Sequence, residues 1–492
     1  MPFFRIRETG KPYTLSIRNW VGGLRNDVDA VNIGDNDLAV AQNVQYDDGL
    51  RTRDGCAKVN SVQIAAAPVT GMHVFQKSDG TSCMLAHCGT SVVKDNPAFD
   101  TAILTGLAPG GRMKFCTFTD LEIMVDGVNA PQKYDGTTAG PLGGSPPAAA
   151  IDVKIHWNRC FLLTKTAFYW SALGDPQTWG ATDYAYINTN DGQTLTGMMN
   201  YFDTLVFGKE RSLFLLTGSD PATYTLSTLN DKVGVASGHT MDIVGAEMFF
   251  LGHDNIYALQ PTAVAQYINA PPVSTKIPAT IAGLNSTALS QASAARYRDM
   301  YLVAVPDGTS STNNLVLMYD WYRKAWAVWK GWAVASFYAH PTDGFLYWGS
   351  YDGYIYKFPS GTSDAGAAID CRAETKRFTL GASERWKTFN EVYVDVDLDG
   401  DWSLNVQKDI DGKGWSTAKT VSLAPTSGTT SLWGTMVWGT DRWGASGAVM
   451  RTKRLIMSGS GQSIQFRFYN DTLDQYFHLR GLTLPFRSFP PR

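Results

Sequence analysis

Glutamate is scarce in this chain of 492 residues, where seven Glu stand beside 38 Asp. Glu favours helices, whereas Asp and the 47 Gly favour turns, so the composition excludes a mainly helical fold. Long apolar runs are also missing. No stretch approaches the roughly eighteen residues of a transmembrane helix, and the first residues contain no continuous apolar segment of the secretory kind. We therefore expect no membrane-spanning segment, and synthesis in a cytoplasm.

Cysteine content and net charge exclude two further classes of protein. The six cysteines are irregularly spaced and do not form the framework of a disulfide-rich protein, so we expect them to be reduced and buried. The formal net charge of −3 excludes the strongly basic surface with which proteins usually grip DNA.

Motifs that carry catalysis are absent as well. The sequence has no GxSxG, HExxH, Walker or Rossmann fingerprint, and no Ser-x-Asp-x-Gly-x-x-Trp turn of the sialidase type. Glutamates that could act as acid or nucleophile in a glycosidase are few within the repeats, namely Glu122, Glu210 and Glu247. The sequence therefore predicts no catalytic residues, no cofactor and no enzyme activity.

Two clusters imitate metal sites. Asp395, Asp397, Asp399 and Asp401 resemble the start of a calcium loop, but Val406 occupies the twelfth position, where a Glu is needed. A strand with solvent-facing Asp residues that ends in a turn is the favoured interpretation.

The second cluster consists of Cys83, His87 and Cys88, which lack a fourth zinc ligand at a known spacing. Core positions on a strand are the favoured interpretation, so we predict no metal site.

One β-hairpin recurs seven times between Thr70 and Phe358. Each copy joins two short apolar strands, as Met248–Leu251 and Ile256–Leu259 do around Gly252–Asn255. The residues that precede the successive hairpins are Gly80, Asp120, Asn158, Asp203, Ala246, Asp299 and Asp343. A period of roughly 40–50 residues made only of β units is the signature of propeller blades.

An inner strand should precede each hairpin. Such strands are predicted at Thr70–Gln76, Lys114–Phe118, Asp152–His156, Leu195–Tyr201, Thr240–Val244 and Ala335–Ala339. A short helix is predicted within Thr275–Leu284. The aromatic run Trp321–Trp332 is interpreted as the outer part of the sixth blade, packed between blades or open to a partner.

The chain outside the repeats predicts two more regions. Residues 1–60 contain a hairpin signal at Asp47-Asp48-Gly49, and the last repeat lacks an outer strand, so a strand within Gln42–Val59 should complete the last blade. Residues 366–492 lose the period and alternate like sandwich strands. The predicted fold is all-β: a β-propeller of about seven blades over 61–365, closed by the N-terminal segment 1–60 and followed by a β-sandwich-like domain.

The stretch Leu432–Gly444 repeats Trp-Gly every five residues, which fits neither helix nor strand. Its tryptophans, Trp433, Trp438 and Trp443, either fold back on their own sandwich or form an interaction loop, because Trp concentrates binding energy at interfaces.

A family resemblance rests on several of these segments. Gly22-Gly23-Leu24 is followed by Ala39-x-x-x-Asn43-Val44, by Gly49-Leu50-Arg51-x-Arg53-x-Gly55 and by Ser171-x-x-Gly174-Asp175-Pro176. Together with the Trp-Gly-rich C-terminal region, the pattern resembles tail hub or nozzle proteins of short-tailed bacteriophages. The segments Asp254–Leu284 and Met318–Lys330 resemble the matching region of the P22-like packaged-DNA stabilisation proteins.

The resemblance implies a structural component of the virion tail. It implies a hexameric ring below the head-to-tail adaptor, with a channel for genome retention and ejection and side surfaces for tail fibres or spikes. Viral DNA would pass without sequence-specific binding. The alternative from a different class is a propeller-type glycan-binding or glycan-cleaving protein.

Overall fold

The computed structural model describes residues 11–95, 98–188, 190–261, 270–381, 383–398, 400–424 and 449–490. The chain divides into two compact units. Unit 1 comprises Met1–Gly55, Tyr322–Lys330 and Gly361–Arg492, and unit 2 comprises Cys56–Trp321 and Gly331–Ser360. The regular secondary structure of both units consists almost entirely of strands. The all-β class that the composition predicts is therefore confirmed.

Unit 2 contains seven small antiparallel sheets among its described residues, numbered here in chain order. Sheet 1 consists of Val69–Gln76, Ser82–Cys88, Ser91–Lys94 and Thr101–Leu104. Sheet 2 consists of Lys114–Phe118, Leu121–Val125, Gln132–Tyr134 and Ala139–Pro141. Sheet 3 consists of Asp152–His156, Arg159–Leu163, Ala167–Trp170 and Tyr184–Tyr186. Sheets 4 and 5 are Leu195–Tyr201, Thr204–Lys209, Leu213–Thr217 and Thr225–Asn230; and Asp242–Val244, Glu247–Leu251 and Ile256–Leu259. Sheets 6 and 7 contain, from unit 2, Ser293–Tyr297, Met300–Val305 and Leu315–Asp320; and Val334–Ala339, Leu346–Ser350, Ile355–Phe358 and Ala57–Lys58.

Helical segments are few and short in the described chain. The α-helix Pro278–Ala282 lies within the segment predicted to be helical, and begins with a proline at its first position. The 3-10 turns are Pro221–Thr223, Gly238–Thr240 and Leu289–Gln291.

Tight turns between the first and second strands explain the recurring anchor residues. Thr119 and Asp120 both have positive φ angles (49° and 59°), as do Trp157 and Asn158 (44° and 56°). Two-residue turns with both residues in this region match the twist of the flanking strands, and Asn and Asp tolerate it best. The anchors found in the sequence thus mark these hairpin turns.

The first strands of most consecutive sheets contact one another, and at sheets 4 and 5 the strand Leu195–Tyr201 contacts the 3-10 turn Gly238–Thr240. Apolar side chains are buried between the sheets. One core cluster joins Phe161 and Phe168 of sheet 3 to Phe207 of sheet 4. At the end of the series, Ser336 of sheet 7 donates a hydrogen bond to the carbonyl of Val69 in sheet 1 (2.6 Å). A four-stranded sheet cannot bury both faces alone, so stacking on its neighbours supplies the core.

The N-terminal part of unit 2 supplies the outer strand of sheet 7, as the sequence predicts. Ala57 pairs with Lys357 and Lys58 with Tyr356. Asn60 fixes this strand: its Oδ1 accepts a hydrogen bond from the Ile355 amide (2.7 Å) and its Nδ2 donates to the Gly353 carbonyl (3.2 Å).

Replacing Asn60 by Ala is expected to loosen the outer edge of sheet 7, because the buried Ile355 amide loses its acceptor at a cost of about 1–3 kcal/mol. Hydrogen exchange of the amides in Ile355–Phe358 measures the effect. Gln63→Ala is the matched control, since Gln63 is exposed and donates one hydrogen bond to the Asp352 carbonyl. Equal protection in both variants would refute this anchoring role.

Unit 1 contains strands of two sheets, in which most neighbouring strands are antiparallel. Sheet 8 has the order Val449–Gly461, Lys387–Leu398, His478–Ser488, Leu50–Thr52 and Val44–Tyr46, with Lys11–Ile17 also paired to His478–Ser488. The unit 1 strands of sheet 9 have the order Ala325–Lys330, Asp37–Gln42, Cys371–Thr375, Ile464–Asn470, Ser403–Ile410 and Lys419–Ser422, with Gly23–Leu24 parallel to Asp37–Gln42. The predicted hairpin around Asp47-Asp48-Gly49 is confirmed by the pairing of Val44–Tyr46 with Leu50–Thr52.

This division differs from the boundaries read from the sequence. Residues 11–55 are not a separate segment, because their strands enter both sheets of unit 1 beside the C-terminal strands. Ala325–Lys330, interpreted from the sequence as part of a sixth blade, also belongs to unit 1, where Val328 pairs with Gln42. Trp326 and Trp329 on this strand are fully buried, so this part of the aromatic run is packed, whereas Tyr322 before the strand is 77% exposed.

Candidate functional site

The predicted interaction loop with Trp433, Trp438 and Trp443 lies outside the described residues. It therefore stays a prediction from the sequence.

The cysteine and histidine cluster of sheet 1 is part of the packed interior. His87 is buried, and its Nδ1 lies 2.6 Å from the Thr70 hydroxyl. Burial lowers the pKa of His87 to about 4, so the ring is neutral at neutral pH. The Cys88 thiol donates to the Ala67 carbonyl (3.3 Å). These contacts explain the residues as core positions.

Two aspartates of the calcium-like segment, Asp395 and Asp397, lie on strand Lys387–Leu398 and are buried, so they do not face solvent as the sequence interpretation assumed. Asp399 lies outside the described residues, and Asp401, after the strand, is exposed. Asp397 has a side chain only 1% exposed, because Arg480 binds it through Nε and a terminal nitrogen and His478 Nδ1 lies 2.8 Å away. Asp395 is held by Arg18 (2.7 Å) and Thr452 (2.5 Å).

A cleft of ≈ 400 Å³ in unit 1 is lined by these aspartates together with Arg18, Asp48 and Arg480. Burial and the neighbouring Arg480 hold the pKa of His478 below its usual value. Each carboxylate at this cleft has an arginine partner, Asp48 through Arg480 at 3.0 Å. The arrangement is a paired network without a carboxylate poised for acid or base chemistry.

The strongest concentration of ionisable groups lies along the inner strands of unit 2. Lys114 begins the first strand of sheet 2, and its ammonium donates to Asp152 of sheet 3 (2.5 Å) and to the carbonyl of Gly238 before sheet 5 (2.8 Å). Asp152 is fully buried and also accepts a hydrogen bond from the Met198 amide of sheet 4 (2.8 Å). One lysine and one aspartate thus connect four sheets.

The side chain of Arg112, two residues before Lys114, also reaches from sheet 2 to other segments of unit 2. Its guanidinium donates to the Ser237 hydroxyl (3.3 Å), to the Ser290 carbonyl (2.6 Å) and to the Ala292 carbonyl (3.2 Å). Ser290 and Ala292 directly precede sheet 6, so an arginine from sheet 2 reaches the far side of the series of inner strands. We call Arg112, Lys114, Asp152, Lys154 and His239 the axial cluster.

The electrostatics of the axial cluster follow from burial. Burial lowers the pKa of Arg112 to about 10, and burial also lowers the pKa of Lys114 against the opposing effect of Asp152. Burial, with Arg112, Lys114 and Lys154 nearby, lowers the pKa of His239 well below its usual value. The imidazole is therefore uncharged at neutral pH.

Sequence reasoning missed the axial cluster. Arg112, Lys114 and Lys154 belong to no motif, and their only signal is that charged residues occur in or next to predicted inner strands, where apolar residues are usual. A basic residue in such a strand indicates that polar groups meet between the inner strands.

The residues that carry the family resemblance form a second connected set, in unit 1. Arg53 is fully buried and forms two hydrogen bonds with Asp364 (2.8 and 2.5 Å). Its Nε donates to Asn43 Oδ1 (3.1 Å), which also accepts from the Lys330 amide (2.8 Å). Four separate chain segments meet at this point, so these motif residues support the fold.

Gly23 contributes through its conformation. Its φ is +70°, and a Cβ there would lie 2.7 Å from the Trp326 amide nitrogen. The Gly-Gly-Leu motif therefore permits close approach to the strand Ala325–Lys330.

Searches for other kinds of site gave two results for the described part of the chain. No group of three or more His, Cys, Asp or Glu residues there is arranged to hold a metal ion. Within the same residues, no helix is long and apolar enough to cross a membrane.

Comparison with known proteins gives no family for this chain. No protein-family model matches it, and no curated protein matches it. Similar solved structures include the computationally designed Ika8 protein (9% identity, 62% of this chain and 100% of that chain, TM-score 0.37). BamB from Moraxella catarrhalis has 10% identity over 62% of this chain and 97% of its own, with a TM-score of 0.41. The extracellular domain of a one component system from B. thetaiotaomicron has 9% identity over 62% of this chain and 40% of its own, with a TM-score of 0.43.

Proposed function

We propose that this protein is a non-enzymatic tail nozzle or hub of a short-tailed bacteriophage, which assembles as a hexameric ring below the head-to-tail adaptor. The ring gives a channel for genome retention and ejection, and its sides bind tail fibres or spikes. Unit 2 is a closed propeller of seven blades and unit 1 a β-sandwich. The protein resides in the virion tail and contacts viral DNA without reading its sequence.

The observation that carries the proposal is a set of side-chain contacts that cross between the inner strands of unit 2. Arg112 and Lys114 extend from sheet 2 to groups beside sheets 3, 5 and 6 through hydrogen bonds of 2.5 to 3.3 Å. A space bridged by side chains at these distances admits no duplex DNA. A DNA conduit made by such subunits has to lie between copies, and head-to-tail contacts that close a ring provide one.

The same contacts argue against a glycosidase at the axis. Retaining and inverting glycosidases need two carboxyl groups that face an open substrate site. Asp152 is bound to Lys114 and to a main-chain amide, and Asp242 accepts hydrogen bonds from the Arg296 and Ile243 amides (2.6 and 2.7 Å). Both carboxylates have structural partners.

The motif residues support the proposal from a second direction. Asn43 and Arg53, on which the resemblance to tail hub proteins rests, hold together separate segments of unit 1. The resemblance to tail hub proteins therefore rests on residues that support the fold of unit 1, and it implies no catalytic residue.

Negative-stain electron microscopy of the purified full chain tests the proposal. We expect particles with six-fold symmetry and a central pore. A variant with Trp433, Trp438 and Trp443 replaced by Ala should keep the far-UV circular dichroism of the wild type but yield monomers, if these tryptophans form the contact between subunits or with tail partners.

Two outcomes would contradict parts of this scheme. Compact monomers at all concentrations, together with specific binding on a glycan array, would reject the nozzle in favour of the glycan-binding alternative. A triple Trp variant that unfolds would place the tryptophans in the core, and six-fold rings from the wild type would then still support the nozzle.

A further inference from the structure

We propose that the axial cluster of unit 2 binds a small free oxyanion such as inorganic phosphate or sulfate. This inference does not depend on the tail function, because every residue in it belongs to unit 2. It rests on the geometry of the turn Ser237–His239 and on two basic side chains, Arg112 and Lys154, that have no carboxylate partner among the described residues.

The turn Ser237–His239 brings the donors together. Arg112 donates to the Ser237 hydroxyl and Lys114 to the Gly238 carbonyl, so both cationic groups lie beside this turn, and His239 is the next residue. Lys154 lies two positions after Asp152 on the same strand, which places both side chains on one face. Four nitrogen-bearing side chains therefore lie close to this turn.

The basic side chains at this place outnumber their carboxylate partners. Of Arg112, Lys114 and Lys154, only Lys114 forms an ion pair with a described carboxylate, that of Asp152. Asp152 is engaged by Lys114, and the Asp242 carboxylate is engaged by main-chain amides. A positive charge among partly buried groups is costly unless an anion accompanies it.

Arg112 and Lys154 both lack an anionic partner among the described residues. The hydrogen bonds of Arg112 within the described chain all go to a hydroxyl or to carbonyl groups, and none goes to a carboxylate. The ammonium group of Lys154 has no hydrogen bond or ion pair to any described residue, and the side chain is partly exposed on strand Asp152–His156. Guanidinium and ammonium groups arranged in this way are the donors that proteins use for phosphate and related oxyanions.

The packing beside the turn limits the size of the ligand. Gly197 and Gly238 approach so closely that a Cβ on Gly197 would lie 2.5 Å from the Cα of Gly238. A free tetrahedral oxyanion is the smallest phosphate-like ligand, whereas a nucleic-acid backbone brings a sugar and a base with each phosphate.

Isothermal titration calorimetry of the full chain with inorganic phosphate tests the site, with sulfate and chloride as parallel titrants at constant ionic strength. We expect saturable binding of phosphate and sulfate with one site per chain. Lys154→Gln should weaken binding about tenfold or more, because one charge-assisted hydrogen bond is lost. Lys165→Gln is the matched control, since Lys165 is an exposed lysine of the same unit.

Lys154→Gln keeps the test decisive, because the Lys154 ammonium forms no hydrogen bond or ion pair with a described residue, whereas Arg112→Gln removes three hydrogen bonds between separate segments of unit 2. No heat of phosphate binding to the wild type would overturn the proposal. So would equal affinities of Lys154→Gln and Lys165→Gln, which would indicate an adventitious ion only. A short single-stranded oligonucleotide that binds in a Lys154-dependent manner while phosphate does not would assign the site to nucleic-acid phosphates and also reject it.

Discussion

Replacing Arg53 by Met is expected to lower the free energy of unfolding of unit 1 by about 3–5 kcal/mol, the cost of removing one partner of a buried ion pair. Arg53 is fully buried and the Asp364 side chain is only 12% exposed, so the carboxylate that remains cannot be rehydrated in place. Asn43 Oδ1 and the Lys330 carbonyl also lose a donor. Hydrogen exchange with peptide resolution measures unit 1 and unit 2 separately within one sample.

Arg454→Met is the matched control for this prediction. Arg454 pairs with Glu391 at the surface of unit 1, with its side chain 61% exposed, and such pairs contribute about 0–1 kcal/mol. The double variant Arg53→Met with Asp364→Asn should recover part of the loss, because the unpaired charge is removed as well. Equal protection of unit 1 in Arg53→Met and Arg454→Met would show that the buried pair contributes no more than a surface pair.

Much of unit 2 could be predicted from periodicity. The inner strands Lys114–Phe118, Asp152–His156 and Leu195–Tyr201 were located to the residue, because short apolar strands and polar turns repeat at a nearly constant interval. The inner strand of sheet 6, Ser293–Tyr297, was missed. Its sequence, Ser-Ala-Ala-Arg-Tyr, has small residues in place of the apolar alternation, and its burial comes from neighbouring sheets.

Unit 1 was less accessible to sequence reasoning, because its sheets combine strands that are far apart in the chain. His478–Ser488 pairs with Lys11–Ile17 and with Leu50–Thr52, and no local pattern encodes those partners. The burial of Asp397 has the same origin, since Arg480 and His478 cover it from a neighbouring strand. Local alternation reports which face of a strand a residue occupies, and distant segments decide whether that face is covered.

The axial cluster shows the corresponding limit for sites. Lys114 and Asp152 are 38 residues apart in separate repeats, and their contact depends on how neighbouring sheets stack. The sequence could place each residue on an inner strand, but the pairing and the reach of Arg112 follow only from the assembled unit. Arg53 and Asn43 could be recognised in the sequence as part of a motif, but the sequence did not show that they connect four chain segments.

Replacing Gly238 by Ala is expected to destabilise unit 2 by about 3 kcal/mol or more, the upper range of overpacking effects, because backbone atoms cannot move aside as side chains can. A Cβ at Gly238 would lie 2.0 Å from the Thr196 carbonyl oxygen and 2.6 Å from the Gly197 Cα. The turn would have to move away from sheet 4, and the Lys114 ammonium would lose the Gly238 carbonyl as an acceptor.

Gly140→Ala is the matched control for the axial glycine, since nothing lies within 4 Å of a Cβ at that position in sheet 2. Its free energy of unfolding should stay within about 0.5 kcal/mol of the wild type. Exchange protection in Leu195–Tyr201 and Asp242–Val244 measures the effect at the site, and thermal unfolding measures it globally. If Gly238→Ala is as stable as Gly140→Ala, the turn Gly238–Thr240 is not in tight backbone contact with sheet 4, and the close packing of the inner strands that supports the proposed function would have to be abandoned.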